Sequence, residues 1–281
     1  MKTFFEITPP SHRAKQDRVA KTVATTKETL DALPNIDGVN VPEIIEENFL
    51  GKPFYKNMET REFGRQLHDA IHKEVIINKV VVHEKNFKQW AKETKEKFGL
   101  NKVILVGGTF PFQKYPGPTV LEANRIATEA GLTVGNIAIA TRPEEEIRML
   151  EKIKSGTKFF STQVIFEAES TKTTLQKLQT WLEKEKLPAP AVYLSFAPLS
   201  DAEDIVFTKW LGAVIPPAVE EKLLRSANIG EASIQQAAVV WREIQDFCRE
   251  KGITIPIGLN IEPINAKNLT LACQLTKTLQ N

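Results

Sequence analysis

Short runs rich in Val, Ile and Phe alternate with longer segments of mixed apolar and charged residues along the whole chain. The short runs predict strands, and several are almost continuously apolar, which is typical of parallel strands covered on both faces. The longer segments have the spacing of amphipathic helices. The predicted strands span 3–8, 36–41, 75–83, 102–108, 134–140, 159–166, 191–197 and 253–260, and the predicted helices span 12–32, 60–73, 85–98, 119–130, 144–155, 172–186, 201–211, 217–225, 233–251 and 266–279.

Eight strands that alternate with at least eight helices predict a (β/α)8 TIM barrel, which we expect to form one domain over residues 1–281. The main alternative is an open doubly wound sheet. No G-x-G-x-x-G turn follows the first strand, which disfavours the dinucleotide-binding version of that fold. The longest loop-like stretch, residues 48–55, follows the second strand and is a candidate active-site loop.

Composition and charge exclude several classes of function. The formal charge is +2, and the lysines are interleaved with glutamates, so nothing indicates a nucleic-acid partner. No segment approaches the ~20 apolar residues of a membrane span, and the first residues lack the apolar core of a signal peptide. Cys248 and Cys273 lie in helix-like patterns and are predicted to be free thiols in a reducing cytoplasm. Neither they nor the scattered histidines form a metal-ligand pattern, and His68 and His72 are predicted to be a helix-surface pair.

The first strand carries a carboxylate among apolar residues. Side chains alternate along a strand, so Phe4 and Glu6 share one face, and two prolines end the strand just beyond them. A carboxylate in such surroundings is costly unless it is paired, protonated or used in chemistry. Glu6 also lies near the carboxyl end of its strand, where barrel enzymes hold their catalytic groups. A surface glutamate on an edge strand is the alternative interpretation.

Most other candidates at the carboxyl ends of the strands are neutral hydrogen-bonding groups. They lack a Ser-His-Asp set and a phosphate-binding loop, so they suit a polar heterocycle held by amides, with one carboxylic acid to donate a proton. The glycine pair at 107–108 would let a flat ligand approach the backbone, or would only relieve crowding at a strand end. The candidates are Glu6, Asn40, Glu43, Gly107, Gly108, Thr109, Thr141, Arg142, Gln163, Ser195, Asn260 and Glu262.

Gln163 stands out among these candidates because it lies within the apolar run FFSTQVIF. A glutamine in such a run needs hydrogen-bond partners. The amide-like edge of a ligand ring would provide them, and so would a neighbouring backbone.

Four segments in order resemble the methylenetetrahydrofolate reductases. Residues 4–10, FFEITPP, resemble the family's F-E-F-x-P-P opening, and residues 152–167, KIKSGTKFFSTQVIFE, resemble its K-x-x-A-G-A-x-x-x-I-T-Q-x-F-F-D segment. Residues 194–200, LSFAPLS, are similar to P-G-I-x-P-V, and residues 213–217, AVIPP, to V-x-I-P. The resemblance runs from residue 3 to the last helix and covers nearly the whole catalytic domain of that family.

The resemblance implies a (β/α)8 barrel that reduces 5,10-methylenetetrahydrofolate to 5-methyltetrahydrofolate, an oxidoreductase of one-carbon metabolism and methionine biosynthesis. By position, Glu6 matches the family's catalytic acid and Gln163 its pterin-binding glutamine, and Ser195 and Asn260 are expected to contact the folate substrate. The family normally holds FAD, reduced by NADH or NADPH. The positions corresponding to its flavin site are Gly107, Gly108, Thr109, Thr141 and Lys152. For Lys152 a solvated helix lysine is the alternative.

The chain departs from the family pattern mainly at these flavin positions. The family's R-G-D-x-P becomes GGTFP at 107–111, and its A-Y-P-E becomes ATRP at 140–143. Its H-L-T-C becomes NKVV at 78–81, and its L-N-R becomes NIEP at 260–263. These changes predict little or no bound FAD and a hydride taken directly from NAD(P)H, with FAD as the alternative.

Two other functional classes stay open. One is a folate-binding enzyme or subunit that transfers one-carbon groups without redox chemistry, which the changed flavin positions favour. The other is a non-catalytic barrel that works with a partner, which the presence of Glu6 disfavours. A homo-oligomer or an association with a partner subunit is compatible with each.

Overall fold

A computed structural model describes residues 1–33, 35–47, 53–108 and 113–281 of the chain. All eight predicted strands are present, and they form a closed parallel barrel, which confirms the predicted (β/α)8 fold. Two further strands, β3 and β4, pair as a separate antiparallel hairpin. The strands are β1 (Thr3–Glu6), β2 (Gly38–Val41), β3 (Ile45–Glu47), β4 (Pro53–Tyr55), β5 (Glu74–Val80), β6 (Lys102–Val106), β7 (Thr133–Ala138), β8 (Phe159–Thr162), β9 (Ala191–Phe196) and β10 (Ile257–Ile261).

Helices follow the barrel strands and cover their outer faces. They are α1 (Gln16–Asp31), α2 (Thr60–Ile71), α3 (Phe87–Glu96), α4 (Val120–Glu129), α5 (Glu145–Lys154), α6 (Glu169–Glu185), α7 (Ala202–Trp210), α8 (Pro217–Leu224), α9 (Ile229–Glu250) and α10 (Leu269–Gln280), with short 3-10 turns at Val81–His83 and Ala266–Asn268. No helix among the described residues is long and apolar enough to cross a membrane. Cys248 and Cys273 are free thiols, as predicted.

The clearest difference from the sequence prediction concerns the stretch 48–55. Its last three residues are not loop but strand β4, which pairs with β3. The prediction of a simple loop was wrong there because Pro53 is a residue type that indicates a loop more often than a strand. Proline is tolerated in strands only at edge or terminal positions such as this one. The rest of the predicted loop, residues 48–52, lies outside the described residues.

Side-chain alternation separates two apolar regions. One set of residues faces the helices and forms the main core, with Phe5, Val39 and Ile77 among them. The opposite set fills the barrel interior, where Phe4, Ile76, Ile104, Phe159 and Tyr193 pack together. Because successive strand residues point to opposite faces, the next inward position along β1 after Phe4 is Glu6. The interior is therefore apolar at the level of Phe4 and changes to polar residues towards the carboxyl ends of the strands.

The register of the barrel seam determines which polar residues become neighbours. Strand β1 pairs with β10 so that Phe4 lies opposite Asn260 and Phe5 opposite Ile261. Extending this register by one residue brings Glu262 beside Glu6. On the other side of β1, Glu6 lies opposite Asn40 of β2. The first and last strands of the chain thus bring two carboxyl groups together at one mouth of the barrel.

Candidate active site

Glu6 is the last residue of β1 and lies at the polar rim of the barrel interior. Strand β1 is paired on both sides, which excludes the edge-strand alternative. Burial, followed by repulsion from Glu262, raises the pKa of the Glu6 carboxyl well above its ordinary value. Glu6 is therefore a carboxylic acid that keeps its proton at a pH where most glutamates are ionised, which is the state a general acid needs.

Glu262 follows β10 directly and is the second carboxyl group of the site. Asn260 Nδ2 donates a hydrogen bond of 2.9 Å to Glu262 Oε1, and the Ser195 hydroxyl also bonds to this carboxylate. Burial raises the pKa of Glu262 to about 7, although both hydrogen bonds oppose that rise. Because Glu262 has donors for its negative charge, it is the better-stabilised anion of the pair. Glu6 is the member whose pKa is raised further, by burial and by repulsion from Glu262.

Three asparagines bring unpaired acceptors to the same region. Asn40, Asn78 and Asn260 are all buried, and each has a side-chain oxygen without a hydrogen-bond partner among the described residues. Alternation places all three on the inward faces of β2, β5 and β10, because their strand neighbours Val39 and Ile77 belong to the outer core. Buried acceptors without partners are uncommon in folded proteins, and a bound ligand is one physical reason for them.

Two serines on the neighbouring strands β9 and β8 complete the polar layer. Asn260 Nδ2 also donates to Ser195 Oγ at 3.0 Å, and Ser195 Oγ lies 3.4 Å from Ser161 Oγ. The Ser195 backbone is held in turn by the Thr162 hydroxyl at 2.8 Å. The structure thus brings together three residues that the sequence predicted for catalysis and substrate binding, namely Glu6, Ser195 and Asn260.

Gln163 lies one residue beyond β8, and its amide is used by the protein itself. Its Nε2 donates to the Leu211 carbonyl at 3.1 Å, and its Oε1 accepts from the Val164 backbone at 2.9 Å. Neighbouring backbone is thus the partner, one of the two possibilities that the sequence left open. The described contacts do not link Gln163 to the Glu6–Glu262 pair, and its predicted role in substrate binding stays a prediction.

The residues predicted to bind cofactor are arranged differently. The Tyr115 ring lies directly over Gly108, in the space that a Cβ would occupy, while Gly107 is half-buried beside Val120. Thr141 is exposed on the loop after β7. Thr109 lies outside the described residues.

Lys152 of α5 is tied to the outer side of β7. Its amino group donates to the Ile137 carbonyl at 2.8 Å and lies 3.6 Å from Glu145, which is fully buried. Burial lowers the pKa of Lys152, and the nearby Glu145 carboxylate opposes that change. Lys152 is therefore a structural partner of α5 and β7, and its side chain is only 17% exposed, which excludes the solvated alternative.

The sequence alone assigned no role to some residues of the site. Glu262 and Asn40 are strand-end residues whose contact with Glu6 depends on which strands are neighbours, and Asn78 lies in the middle of a predicted strand. The i, i+2 pairs Phe4–Glu6 and Asn260–Glu262 are the local signal, since each places a carboxyl on the inward face. Among the described residues no cluster of His, Cys, Asp and Glu could hold a metal ion.

Comparisons with known proteins support the fold. No protein-family model and no curated protein matches the chain. Among solved structures, an uncharacterized protein from Clostridium thermocellum that binds two copies of 5-methyl-5,6,7,8-tetrahydrofolic acid matches with a TM-score of 0.83 and 21% identity, over 99% of this chain and 95% of that one. A mutant tryptophan synthase α-subunit from the hyperthermophile Pyrococcus furiosus has a TM-score of 0.45 and 14% identity over 88% of this chain and 98% of that one, too distant to carry an argument. At 21% identity, the TM-score of 0.83 shows that the two proteins share the barrel fold.

Proposed function

We propose that this barrel binds a reduced folate with its pterin ring at the Glu6–Glu262 pair and reduces the one-carbon bridge of 5,10-methylenetetrahydrofolate. The observation that carries the proposal is the buried carboxyl pair, which is surrounded by three unpaired amide oxygens at one barrel mouth. The similarity of the fold to a protein that binds 5-methyltetrahydrofolate supports the same ligand class. The resemblance of four sequence segments to methylenetetrahydrofolate reductases supports the reaction.

The donors and acceptors of a pterin match this polar layer. The pyrimidine edge of the ring presents a 2-amino group and an N3–H as adjacent donors, and a carboxylate accepts two parallel hydrogen bonds from such an edge. Glu262 is the carboxyl best placed for this role, because Asn260 and Ser195 stabilise its ionised form. The amide oxygens of Asn40 and Asn78 would accept from the remaining N–H groups of the reduced ring.

Glu6 would then supply the proton that opens the folate's five-membered ring. Its proton passes to N10, the bond between N10 and the bridging carbon breaks, and a cationic iminium forms at N5. NAD(P)H, when bound, would supply the hydride that reduces this iminium to the methyl group and would leave as NAD(P)+, so one proton and one hydride would enter for each folate reduced. The apolar interior around Phe4 keeps Glu6 protonated until it is needed.

Two of the residues at the predicted flavin positions, Gly108 and Lys152, are in surroundings that do not fit FAD. Tyr115 covers Gly108, and the Lys152 amino group is already bound to Ile137 and close to Glu145. Neither group is free to approach a flavin ring or its phosphates, so no step of the proposed reaction passes through FAD. This misfit also favours the second candidate function, a folate-binding enzyme that moves one-carbon groups without redox chemistry.

We expect the purified protein to carry no stoichiometric flavin. Its absorbance spectrum should lack the band at about 450 nm that oxidised flavins show. Added FAD should contribute only the spectrum of free flavin and should leave the enzyme's activity unchanged. A yellow preparation with one FAD per chain would contradict the argument from Tyr115 and Lys152.

A titration with 5-methyltetrahydrofolate tests folate binding directly. We expect saturable binding to the wild-type protein and an affinity lower by about 10- to 100-fold in Glu262→Gln, the scale of one charge-assisted hydrogen-bonding pair. Glu74→Gln is the matched control, because Glu74 lies at the opposite end of the barrel, in ion pairs with Lys2 and Lys102. Absence of binding to the wild type would refute the proposal.

Oxidation of NAD(P)H in the presence of 5,10-methylenetetrahydrofolate distinguishes the two candidate chemistries. Reductase activity requires stoichiometric formation of 5-methyltetrahydrofolate as the nicotinamide is oxidised. Folate binding without such oxidation would favour the non-redox alternative.

A further inference from the structure

A cleft of about 720 Å³ opens beside the carboxyl pair. The contacts proposed above for the pterin ring do not use this cleft. Glu6 contributes to its lining, together with the β1–α1 loop, one face of α1 and the segment that follows β10. Its volume is in the range of small-molecule sites, about 300–1,000 Å³. The cleft thus starts at the reacting end of the proposed folate site and leads outwards over α1.

The cleft exists because the ring of helices is loosely joined at this point. Helix α1 packs on α2, and α10 packs on α9, while the first and last helices hardly contact each other. The loop residues between β10 and α10 border the resulting gap. A ligand seated at Glu6 can therefore extend outwards through the seam between the start and the end of the chain.

The walls of the cleft are chemically unequal. The loop side is mainly apolar, with Ile7, Pro9 and Ile264 among its residues, although Thr8 and Asn265 also lie there. The α1 side carries two cations, Arg18 and Lys21, both exposed and neither in an ion pair with any residue that the structure describes.

Glu6 is the only acidic residue among the described residues that line the cleft, and burial raises its pKa well above the ordinary value. Such a cleft suits a ligand that is flat and apolar at one end and anionic at the other.

We propose that this cleft, here called the α1 cleft, holds the p-aminobenzoylglutamate tail of the folate, with Arg18 and Lys21 binding the glutamyl carboxylates. The proposal rests on the proposed function, because it takes the pterin to lie at Glu6 and Glu262. The aromatic ring of the tail then packs between the apolar loops. Each further γ-linked glutamate adds a carboxylate near the two cations, so the α1 cleft favours polyglutamylated folates.

The test compares three ligands that share a pterin and differ in the tail. They are 6-methyltetrahydropterin, which has no tail, 5-methyltetrahydrofolate, and its triglutamate. In the wild type we expect affinity to increase along this series. In Arg18→Ser/Lys21→Ser we expect the triglutamate to bind about 5- to 10-fold more weakly, the scale of two exposed ion pairs, while the affinity for the tail-less pterin stays unchanged.

Lys85→Ser/Lys88→Ser is the matched control, because these exposed lysines line a separate groove between α3 and α4. The control should bind all three ligands as the wild type does. Added salt should weaken the triglutamate advantage in the wild type and in this control, and should have little effect in the α1 variant.

The outcomes separate the two proposals. Failure of the wild type to bind any of the three ligands would overturn both. Normal pterin binding, with the full triglutamate advantage kept in Arg18→Ser/Lys21→Ser, would overturn only the tail assignment. Two folates bound per chain, one of them lost in that variant, would make the α1 cleft an independent second site. Weaker NAD(P)H binding, with an unchanged response to tail length, would assign the two cations to nucleotide phosphates instead.

Discussion

Glu6→Gln is expected to reduce the conversion of 5,10-methylenetetrahydrofolate to 5-methyltetrahydrofolate by about 10²-fold or more, the usual scale for a lost general acid. A glutamine keeps the size and polarity of the side chain but has no proton to give to N10. Binding of 5-methyltetrahydrofolate should change by only a few fold, because Glu262 and the amide oxygens stay in place. Steady-state rates at saturating folate, together with equilibrium binding, measure the two effects separately.

The pH dependence of this rate provides an internal check. Wild-type turnover should fall as pH rises through the elevated pKa of Glu6, because only its protonated form is the acid. Glu74→Gln, with the same substitution at the other end of the barrel, should keep wild-type rates and the same pH profile. An unchanged rate in Glu6→Gln would exclude Glu6 as the proton donor.

Stability should fall as pH rises from about 4.5 to above 7, opposite to the usual behaviour of paired carboxylates. Both Glu6 and Glu262 bind a proton more tightly in the folded chain than in the unfolded chain. The stability that this provides is fully present below the unfolded pKa and is lost as pH rises through the folded pKa, about 7 for Glu262. A rise from 4.5 to about 7 corresponds to about 3 kcal/mol.

Urea denaturation at about pH 5 and about pH 8.5 measures this loss. In Glu262→Gln the loss should be smaller than in the wild type, because the repulsion between the carboxyls and one of the two titrations are removed, while burial still raises the pKa of Glu6. Glu74 provides the contrast. Burial acts to raise its pKa, but hydrogen bonds from Lys102 and Lys2 outweigh burial, so the pKa is lowered. The stability that this provides is present above the unfolded pKa and is lost as pH falls through the folded pKa. Glu74→Gln should therefore lower stability equally at the two pH values and leave the loss between them as in the wild type. An equal loss in Glu262→Gln and the wild type would contradict the description of the pair.

The sequence was sufficient to predict the barrel because its signals are local. Runs of Val, Ile and Phe mark each buried strand, and amphipathic spacing marks each helix. Glu6, Ser195 and Asn260 could be selected for the same reason, since a polar residue at the carboxyl end of an apolar run is visible without knowing the fold. The hairpin strand β4 was not predicted, because three residues beginning with proline carry almost no strand signal.

The contacts of the site could not be predicted in the same way. That Glu262 lies beside Glu6 follows from the register between β1 and β10, which no local pattern encodes. Backbone paths in the connecting segments determine two further contacts. These are the Tyr115 ring over Gly108 and the hydrogen bond from Gln163 to the Leu211 carbonyl. Lys152 matched a family position in sequence, but the buried Glu145 on the same helix determines where its amino group points.

The seam between β1 and β10 has a consequence for how the site comes into existence during biosynthesis. Glu6 precedes Glu262 by almost the whole barrel sequence, so a nascent chain carries the first carboxyl long before the second. Until the final strand docks, Glu6 lacks the burial and repulsion that hold its proton, and it behaves as an ordinary, ionised glutamate. A raised pKa at this position therefore indicates that the barrel has closed. Contacts between residues so far apart in sequence carry a large loop-closure entropy and tend to form late.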